Sequence, residues 1–201
     1  MPIYTVEGNI GSGKSTLLSK LKNDDKNIII IQEPVDDWMK LKNKNNESLF
    51  KCFYENPEKY SFLFQIHIMN TRFEKILNYN KDQTIICERS IMTDINIFVE
   101  ALKELQQMNE FEYIVIKNLY ETLLKLSQFK ADGIIYLQVD PLICFDRIKS
   151  RNREAEDSIS LEYLQILHNK HQDWLLNSDN TLIINDNNNL NSIYEFINYN
   201  T

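Results

Sequence analysis

The sequence Gly8-Asn9-Ile10-Gly11-Ser12-Gly13-Lys14-Ser15 matches the phosphate-binding pattern G-x-x-x-x-G-K-[ST] at every position. The apolar run Ile3–Glu7 comes directly before it, and Thr16-Leu17-Leu18 begins a helical pattern directly after it. Glycines let such a loop turn tightly, so that backbone N–H groups point inward at a helix N-terminus and bind phosphate. Lys14 can then reach the β- and γ-phosphates, and Ser15 can ligate Mg²⁺. The pattern predicts a nucleoside triphosphate site from Gly8 to Thr16, without identifying the acceptor.

Strand and helix patterns alternate along the rest of the chain. Short apolar runs, typical of strands buried on both faces, lie at Ile3–Glu7, Ile28–Gln32, Thr84–Glu88, Gly133–Val139 and Thr181–Ile184. Helical patterns lie near residues 14–22, 57–79, 94–107, 111–129, 141–150, 161–176 and 190–199. This alternation predicts an α/β fold, a five-stranded parallel sheet with helices on both faces. The chain shows no internal repeat or linker, so we expect one domain over residues 1–201.

The composition limits the partners that the chain can have. Lys and Arg number 22 against 29 Asp and Glu, and the net charge of −7 argues against nucleic acid or an anionic membrane as the main partner. The three cysteines are odd in number and lack C-x-x-C spacing, which argues against disulfides and a zinc site. The N-terminus shows no secretory or transit signal, and no apolar run approaches the length of a membrane span. We therefore predict a cytoplasmic protein that binds small molecules.

Charged residues stand where two predicted strands end. Glu33 follows Ile28–Gln32, and Glu88 closes Thr84–Glu88 with Arg89 directly after it. Open α/β sheets bind ligands at the carboxyl ends of their strands. Glu33 can accept a proton from an attacking hydroxyl there, while Glu88 can face a metal and Arg89 the transferred phosphoryl group. The alternatives are that Glu33 is a surface residue closing its strand, and that Glu88 and Arg89 form a structural salt bridge.

The segment Arg147–Ser160 is charged, and its apolar periodicity is weak after Ser150. Composition alone fits a mobile lid and a solvated helix end with a loop equally well. If it is a lid, its clustered arginines repel one another until an anion arrives, and it should close over bound phosphates.

Several segments resemble the deoxynucleoside kinase family. They are Glu33-Pro34-Val35-Asp36-Asp37-Trp38, Tyr54-Glu55-Asn56-Pro57-Glu58-Lys59-Tyr60-Ser61-Phe62-Leu63-Phe64-Gln65, Glu88-Arg89-Ser90-Ile91-Met92-Thr93-Asp94, and Arg147-Ile148-Lys149-Ser150-Arg151-Asn152-Arg153 with the following Leu161-Glu162-Tyr163-Leu164. The similarity runs from the phosphate loop to about Trp174 and is strongest to the deoxycytidine/deoxyguanosine/deoxyadenosine kinase branch. It implies a P-loop kinase fold with a small arginine-rich lid at about residues 147–160. It also implies transfer of the γ-phosphoryl group of ATP to the 5′-hydroxyl of a deoxynucleoside.

The resemblance implies catalytic roles for three residues. Glu33 resembles the general base, Arg89 the arginine beside the reacting 5′-oxygen, and Lys14 the lysine of the phosphate loop. Mg²⁺ would be held from the side of Ser15 and Glu88. The lid arginines that would clamp the phosphates are Arg147, Arg151 and Arg153.

The resemblance also implies a deoxynucleoside pocket. Gln65 would pair with the edge of the base, and Tyr54 and Glu156 would hold the sugar 3′-hydroxyl. Family members often carry two adjacent glutamates in the lid, whereas this chain has Ala155-Glu156, so Glu154 is an alternative to Glu156. The apolar walls of the base pocket would be Trp38, Phe64 and Phe98.

A pair of charged residues matches the end of the base pocket in that branch. Arg72 lies seven residues after Gln65, about two turns along one helix, and Asp94 begins a later helix. An Asp held by Arg stays ionised and can accept from an amino group, whereas thymine presents a carbonyl there. We therefore expect deoxycytidine, deoxyadenosine or deoxyguanosine to be preferred over thymidine. The alternative is an ordinary interhelical salt bridge.

Two other functions share parts of this sequence pattern. A nucleoside-monophosphate kinase of the thymidylate kinase type has the same phosphate loop, but it needs cationic groups for the acceptor phosphate and no base. A non-catalytic nucleotide-binding subunit would need none of Lys14, Ser15, Glu33, Glu88 and Arg89. The resemblance further implies a homodimer formed through helices that flank the sheet.

Overall fold

The structure is a computed structural model. It describes residues 2–24, 28–77, 83–127, 129–185 and 190–199, without the side chains of Asn23, Asp24, Glu154, Asn198 and Tyr199. No helix in these ranges is both long and apolar enough to cross a bilayer.

A parallel five-stranded sheet forms the centre of the molecule. Its strands are β1 (Ile3–Glu7), β2 (Ile28–Ile31), β3 (Thr84–Glu88), β4 (Gly133–Leu137) and β5 (Thr181–Ile184). They are arranged in the order β2-β3-β1-β4-β5, and every neighbouring pair is parallel. The predicted α/β fold class and the predicted order of strands along the chain are confirmed. The sequence placed the ends of β2 and β4 at Gln32 and Val139, beyond the last paired residues.

Helices surround the sheet. They are α1 (Lys14–Asp24), α2 (Val35–Lys40), α3 (Leu49–Glu55), α4 (Pro57–Leu77), α5 (Ile91–Thr93), α6 (Glu100–Glu104), α7 (Glu110–Ser127), α8 (Pro141–Arg151), α9 (Leu161–Leu175) and α10 (Leu190–Tyr199). A π-helical segment, Asp94–Val99, joins α5 to α6, so the single helix predicted near 94–107 is composite. The predicted helical residues 78–79 and 128 lie outside the described residues, and the sequence patterns did not predict α2 and α3.

Two apolar clusters hold these layers together. The first lies around the sheet and α1 and includes Tyr4, Leu17 and Ile135, all fully buried. The second lies under α4 and α7 and includes Trp38 and Phe64. Because β1 lies between β3 and β4, the loop after β1 shares its sheet edge with the ends of the neighbouring strands.

Candidate active site

A cleft of about 860 Å³ opens at the carboxyl edge of the sheet. It brings together residues from the phosphate loop, the ends of β2 and β3, α3, α4 and the 147–160 segment. Most of the residues singled out in the sequence line it; the exceptions are Gly8, Asn9, Ser12 and Asp94. Phe50 and Phe53 also line it and were missed, since they lie on α3, which the sequence patterns did not predict.

The phosphate loop depends on close backbone packing. Gly11 has a φ of +80°, and a Cβ at this position would lie 2.5 Å from the carbonyl oxygen of Cys144 on α8, so only glycine fits. Lys14 Nζ donates to the carbonyl oxygens of Gly8 (3.1 Å) and Asn9 (2.8 Å). Burial, reinforced by the nearby Arg89 guanidinium, lowers the pKa of Lys14 to about 8. An anion bound beside Lys14 would raise this pKa again and favour the charged form.

Two side-chain contacts fasten the loop near the two ends of the 147–160 segment. Asn9 Nδ2 donates to the carbonyl oxygen of Leu164 on α9 at 2.8 Å, so this side chain points away from the cleft. Arg147, on α8, donates to the carbonyl oxygen of Ser12 at 2.9 Å. The loop is thus tied to the first residue of this segment and to the helix that follows the segment.

Glu33 lies at the centre of a buried charge network. Arg89 donates to both of its carboxylate oxygens, at 2.8 and 2.7 Å. Arg72 donates to the same carboxylate through Nη2, to both oxygens of Asp94 through Nε at 3.0 Å, and to the carbonyl oxygen of Glu88 at 3.1 Å. Arg72 therefore connects the predicted base to the predicted selectivity residue, a link that sequence spacing did not indicate.

The two carboxylates of this network have opposite pKa shifts. Burial raises the pKa of Glu33, but Arg89, Arg72 and Lys14 outweigh it and hold that pKa well below its usual range. Burial of Asp94 is complete and outweighs Arg72, so it raises the pKa of Asp94 to about 7. Glu33 is therefore ionised at neutral pH. Burial brings Asp94 close to its titration point, so the ionised state expected from its contact with Arg72 stays a prediction.

Ser15 and Glu88 form an oxygen-rich corner beside Lys14. Ser15 Oγ donates to Glu88 Oε1 at 2.8 Å, and the backbone N–H of Glu33 approaches Glu88 Oε2 at 3.4 Å. A hydroxyl next to a carboxylate is the hard oxygen donor set that Mg²⁺ prefers, so these residues fit that ion.

Aromatic side chains form one wall of the cleft. Trp38 and Phe64 meet edge to face with ring centroids 6.1 Å apart, and Phe53 stacks on Phe64 at 4.6 Å. Gln65 is almost fully buried, and its Oε1 has no hydrogen-bond partner within the described part of the chain. Phe98 lies under the guanidinium of Arg89 at 5.0 Å. The wall therefore combines flat apolar faces with one free amide oxygen, which suits a planar heterocycle.

The arginines of the 147–160 segment are paired with its glutamate. Glu156 is buried, and it accepts from Arg151 Nε at 2.8 Å and from Arg153 at 2.8 Å. Tyr54 packs against Phe50 at 5.3 Å, and its carbonyl oxygen accepts from Ser158 Oγ of the segment at 3.0 Å. Tyr54 and Glu156 line the same cleft, whereas the side chain of Glu154 lies outside the described residues.

A glycine-rich phosphate loop at the edge of a parallel sheet, with a carboxylate and arginines facing it, defines a P-loop phosphotransferase. Residues 4–197 match the family model described as deoxynucleoside kinase. The probable deoxycytidine kinase of fowlpox virus is 34% identical over 174 residues, 85% of this chain and 70% of that protein. Human deoxycytidine kinase is 35% identical over 195 residues, which cover 86% of this chain and 74% of that protein. Human mitochondrial thymidine kinase 2 is 32% identical over 174 residues, which cover 87% of this chain and 64% of that protein.

The chain therefore belongs to the deoxynucleoside kinase family, as the sequence motifs predicted. It is an enzyme, and the phosphate donor that a kinase of this family implies is ATP.

Proposed function

We propose that this enzyme transfers the γ-phosphoryl group of ATP to the 5′-hydroxyl of deoxycytidine, deoxyadenosine or deoxyguanosine in preference to thymidine. The observation that carries the proposal is Arg72, which is held at once by Asp94, Glu33 and the carbonyl oxygen of Glu88. The similar proteins include kinases named for deoxycytidine and for thymidine, so their names do not decide the base.

The base preference would follow from how firmly Arg72 is fixed. Arg72 lines the cleft, whereas Asp94 is fully buried behind it and fixes the guanidinium through two hydrogen bonds. A guanidinium fixed at the end of the base pocket leaves little room for the 5-methyl group of thymine. An exocyclic amino group can instead donate to the unpartnered Oε1 of Gln65 in the same cleft, while a mismatched buried polar group costs about 1–3 kcal/mol.

The chemistry that we propose is in-line transfer with Glu33 as the general base. Glu33 is ionised, and it is oriented by Arg89, so it can accept the proton of the 5′-hydroxyl. Lys14, Arg89 and the lid arginines would neutralise the charge that spreads over the transferred group. Mg²⁺ held from Ser15 and Glu88 would supply further charge neutralisation on the phosphates.

The rest of the cleft would orient the deoxynucleoside. Gln65 would pair with the base edge through its unpartnered Oε1, beside the aromatic wall that contains Trp38 and Phe64. Tyr54 and Glu156 would hold the 3′-hydroxyl, which requires Glu156 to exchange part of its contact with the arginines for the sugar. The Arg151 and Arg153 side chains would then become available to the phosphates.

The test is kcat/KM for all four deoxynucleosides with ATP and Mg²⁺. Wild type should use thymidine worst, and Arg72→Met/Asp94→Ala should raise the thymidine-to-deoxycytidine ratio by about tenfold or more. Arg72 also touches Glu33, so the double variant should lose activity in general, and the ratio is the quantity to compare. Thymidine as the best wild-type substrate, or an unchanged ratio, would overturn the preference. Thin-layer assay with nucleoside and with monophosphate as acceptors separates this function from that of a monophosphate kinase.

We also infer that the enzyme acts as a homodimer through α7. Phe111, Val115 and Leu126 are 82%, 51% and 68% exposed, and their spacing places them on one side of the helix. An apolar stripe of this kind on a helix that packs on α4 suits burial against a second copy.

A further inference from the structure

Glu7 is a fully buried carboxylate at the end of β1, directly before the phosphate loop. Its oxygens accept from Thr93 Oγ1 at 2.7 Å and from Ser90 Oγ at 3.3 Å. A buried carboxylate is costly unless hydrogen bonds satisfy it, so a position of this kind needs a structural or functional reason.

The two hydroxyls that donate to Glu7 also accept hydrogen bonds from the backbone. Ser90 Oγ accepts from the backbone N–H groups of Met92 and Thr93, at 3.2 and 3.4 Å. Thr93 Oγ1 accepts from the backbone N–H of Ser90 at 2.9 Å. Each hydroxyl thus accepts from a backbone N–H and can donate to Glu7, while the two hydroxyls lie 3.3 Å from each other. A carboxylate, which accepts at both oxygens, completes this arrangement, whereas the amide of glutamine would present a donor to one hydroxyl.

Arg89 lies directly before the Ser90/Thr93 capping box and has an unusual conformation. Arg89 has a φ of +61°, in the left-handed region that non-glycine residues rarely adopt. Its backbone N–H donates to the carbonyl oxygen of Val6 at 3.0 Å. From this conformation its guanidinium reaches Glu33 and, at 3.1 Å, the carbonyl oxygen of Gly8. Such a conformation persists where neighbouring contacts enforce it.

We propose that Glu7 is a positioning residue for Arg89. By binding both hydroxyls of the Ser90/Thr93 capping box, Glu7 fixes the turn that follows β3 to the start of the phosphate loop. The guanidinium of Arg89 is thereby held between Glu33 and the loop. The proposal rests on the proposed role of Arg89 beside the reacting oxygen.

A double-mutant cycle in the full-length enzyme tests this role. Glu7→Gln should lower kcat about 10- to 100-fold, because the substitution displaces Arg89. The KM for ATP should change much less, because no contact with ATP is removed. In an Arg89→Ala background the same substitution should cost less than about threefold, because the residue through which it acts is gone. Equal losses in both backgrounds would overturn the proposal. An Arg89→Ala variant with normal kcat would instead refute the proposed role of Arg89, a separate result.

Two further variants keep the test decisive if Glu7→Gln does not fold. Thr93→Val removes the hydroxyl that Glu7 binds and should reproduce the loss of kcat, while Thr93→Ser keeps that hydroxyl and should restore most of it. Glu100→Gln is the matched control, since Glu100 also accepts from a hydroxyl, that of Tyr113 at 2.7 Å, but contacts no residue of the turn in the described structure. Thermal unfolding of each variant confirms that it is folded. Activity of Thr93→Val within twofold of Thr93→Ser would defeat the proposal.

Discussion

Glu33 is a carboxylate whose charge is fixed by two guanidinium groups. We expect Glu33→Gln to lower kcat by about 10²–10⁴-fold, because an amide cannot accept the proton of the 5′-hydroxyl. The KM for the nucleoside should change far less. Steady-state kinetics with Glu112→Gln, a substitution of an α7 glutamate, as the control measures this effect. Turnover within a few-fold of wild type would make Glu33 a structural residue.

We predict that Asp94 makes the proposed base selectivity depend on pH. Burial raises the pKa of Asp94 to about 7, although the charge and hydrogen bonds of Arg72 act to lower it. The Glu33 carboxylate adds a smaller increase to this pKa, and the Arg89 guanidinium a smaller decrease. Above that pKa the carboxylate is ionised and holds Arg72; below it the carboxyl group is protonated and its hold on Arg72 weakens. The deoxycytidine-to-thymidine ratio of kcat/KM should therefore rise about five- to tenfold from about pH 6 to about pH 8. In Asp94→Asn the ratio should not change with pH, and a pH-dependent ratio in that variant would contradict the assignment.

The sequence revealed individual site residues better than the contacts between them. Glu33, Glu88 and Arg89 could be located because strand ends in a parallel sheet share one edge. The contact of Arg72 with Glu33 joins residues 39 positions apart, and no local pattern encodes it. Glu7 ends an apolar strand and was taken only as part of that strand, since its partners lie more than 80 positions away.

The 147–160 segment is the element for which we predict movement. Nucleotide should draw Arg151 and Arg153 away from Glu156, and the segment should close over the phosphates. Limited proteolysis should cleave within Arg147–Ser160 in the free enzyme, and a bisubstrate analogue that joins ATP to a nucleoside should protect it. Cleavage in the exposed loop at Lys42 and Lys44 provides the control, because it should be unaffected. Equal cleavage with and without the analogue would count against a lid.

Helix length explains which elements the sequence could predict. The strands are recognisable as short continuous apolar runs, and the long helices repeat their apolar pattern often enough to be recognised. By contrast, α2 and α3 have six and seven residues, fewer than two full turns each, so their periodicity is incomplete. The π-helical segment Asp94–Val99 has the same apolar spacing as an α-helix, although it moves the following side chains around the axis.

At the scale of the whole molecule, the predicted homodimer can be tested by introducing one charged residue on α7. Phe111→Glu should convert a dimer into monomers, because a carboxylate would be buried against the partner's apolar stripe. Light scattering coupled to gel filtration measures the mass. Leu142→Glu, on α8, is the control, since Leu142 is 54% exposed but lies outside α7. A wild-type monomer, or a Phe111→Glu dimer, would contradict the prediction.

The hydrogen bonds from Asn9 to α9 and from Arg147 to the phosphate loop have a thermodynamic consequence. The first residue of the proposed lid and the helix after it are both fastened to the phosphate loop, so the donor and the covered acceptor would influence one shared element. Linkage requires such influence to be mutual: if ATP tightens the binding of deoxynucleoside by some factor, deoxynucleoside tightens the binding of ATP by the same factor. The enzyme would then bind each substrate more tightly when the other is present.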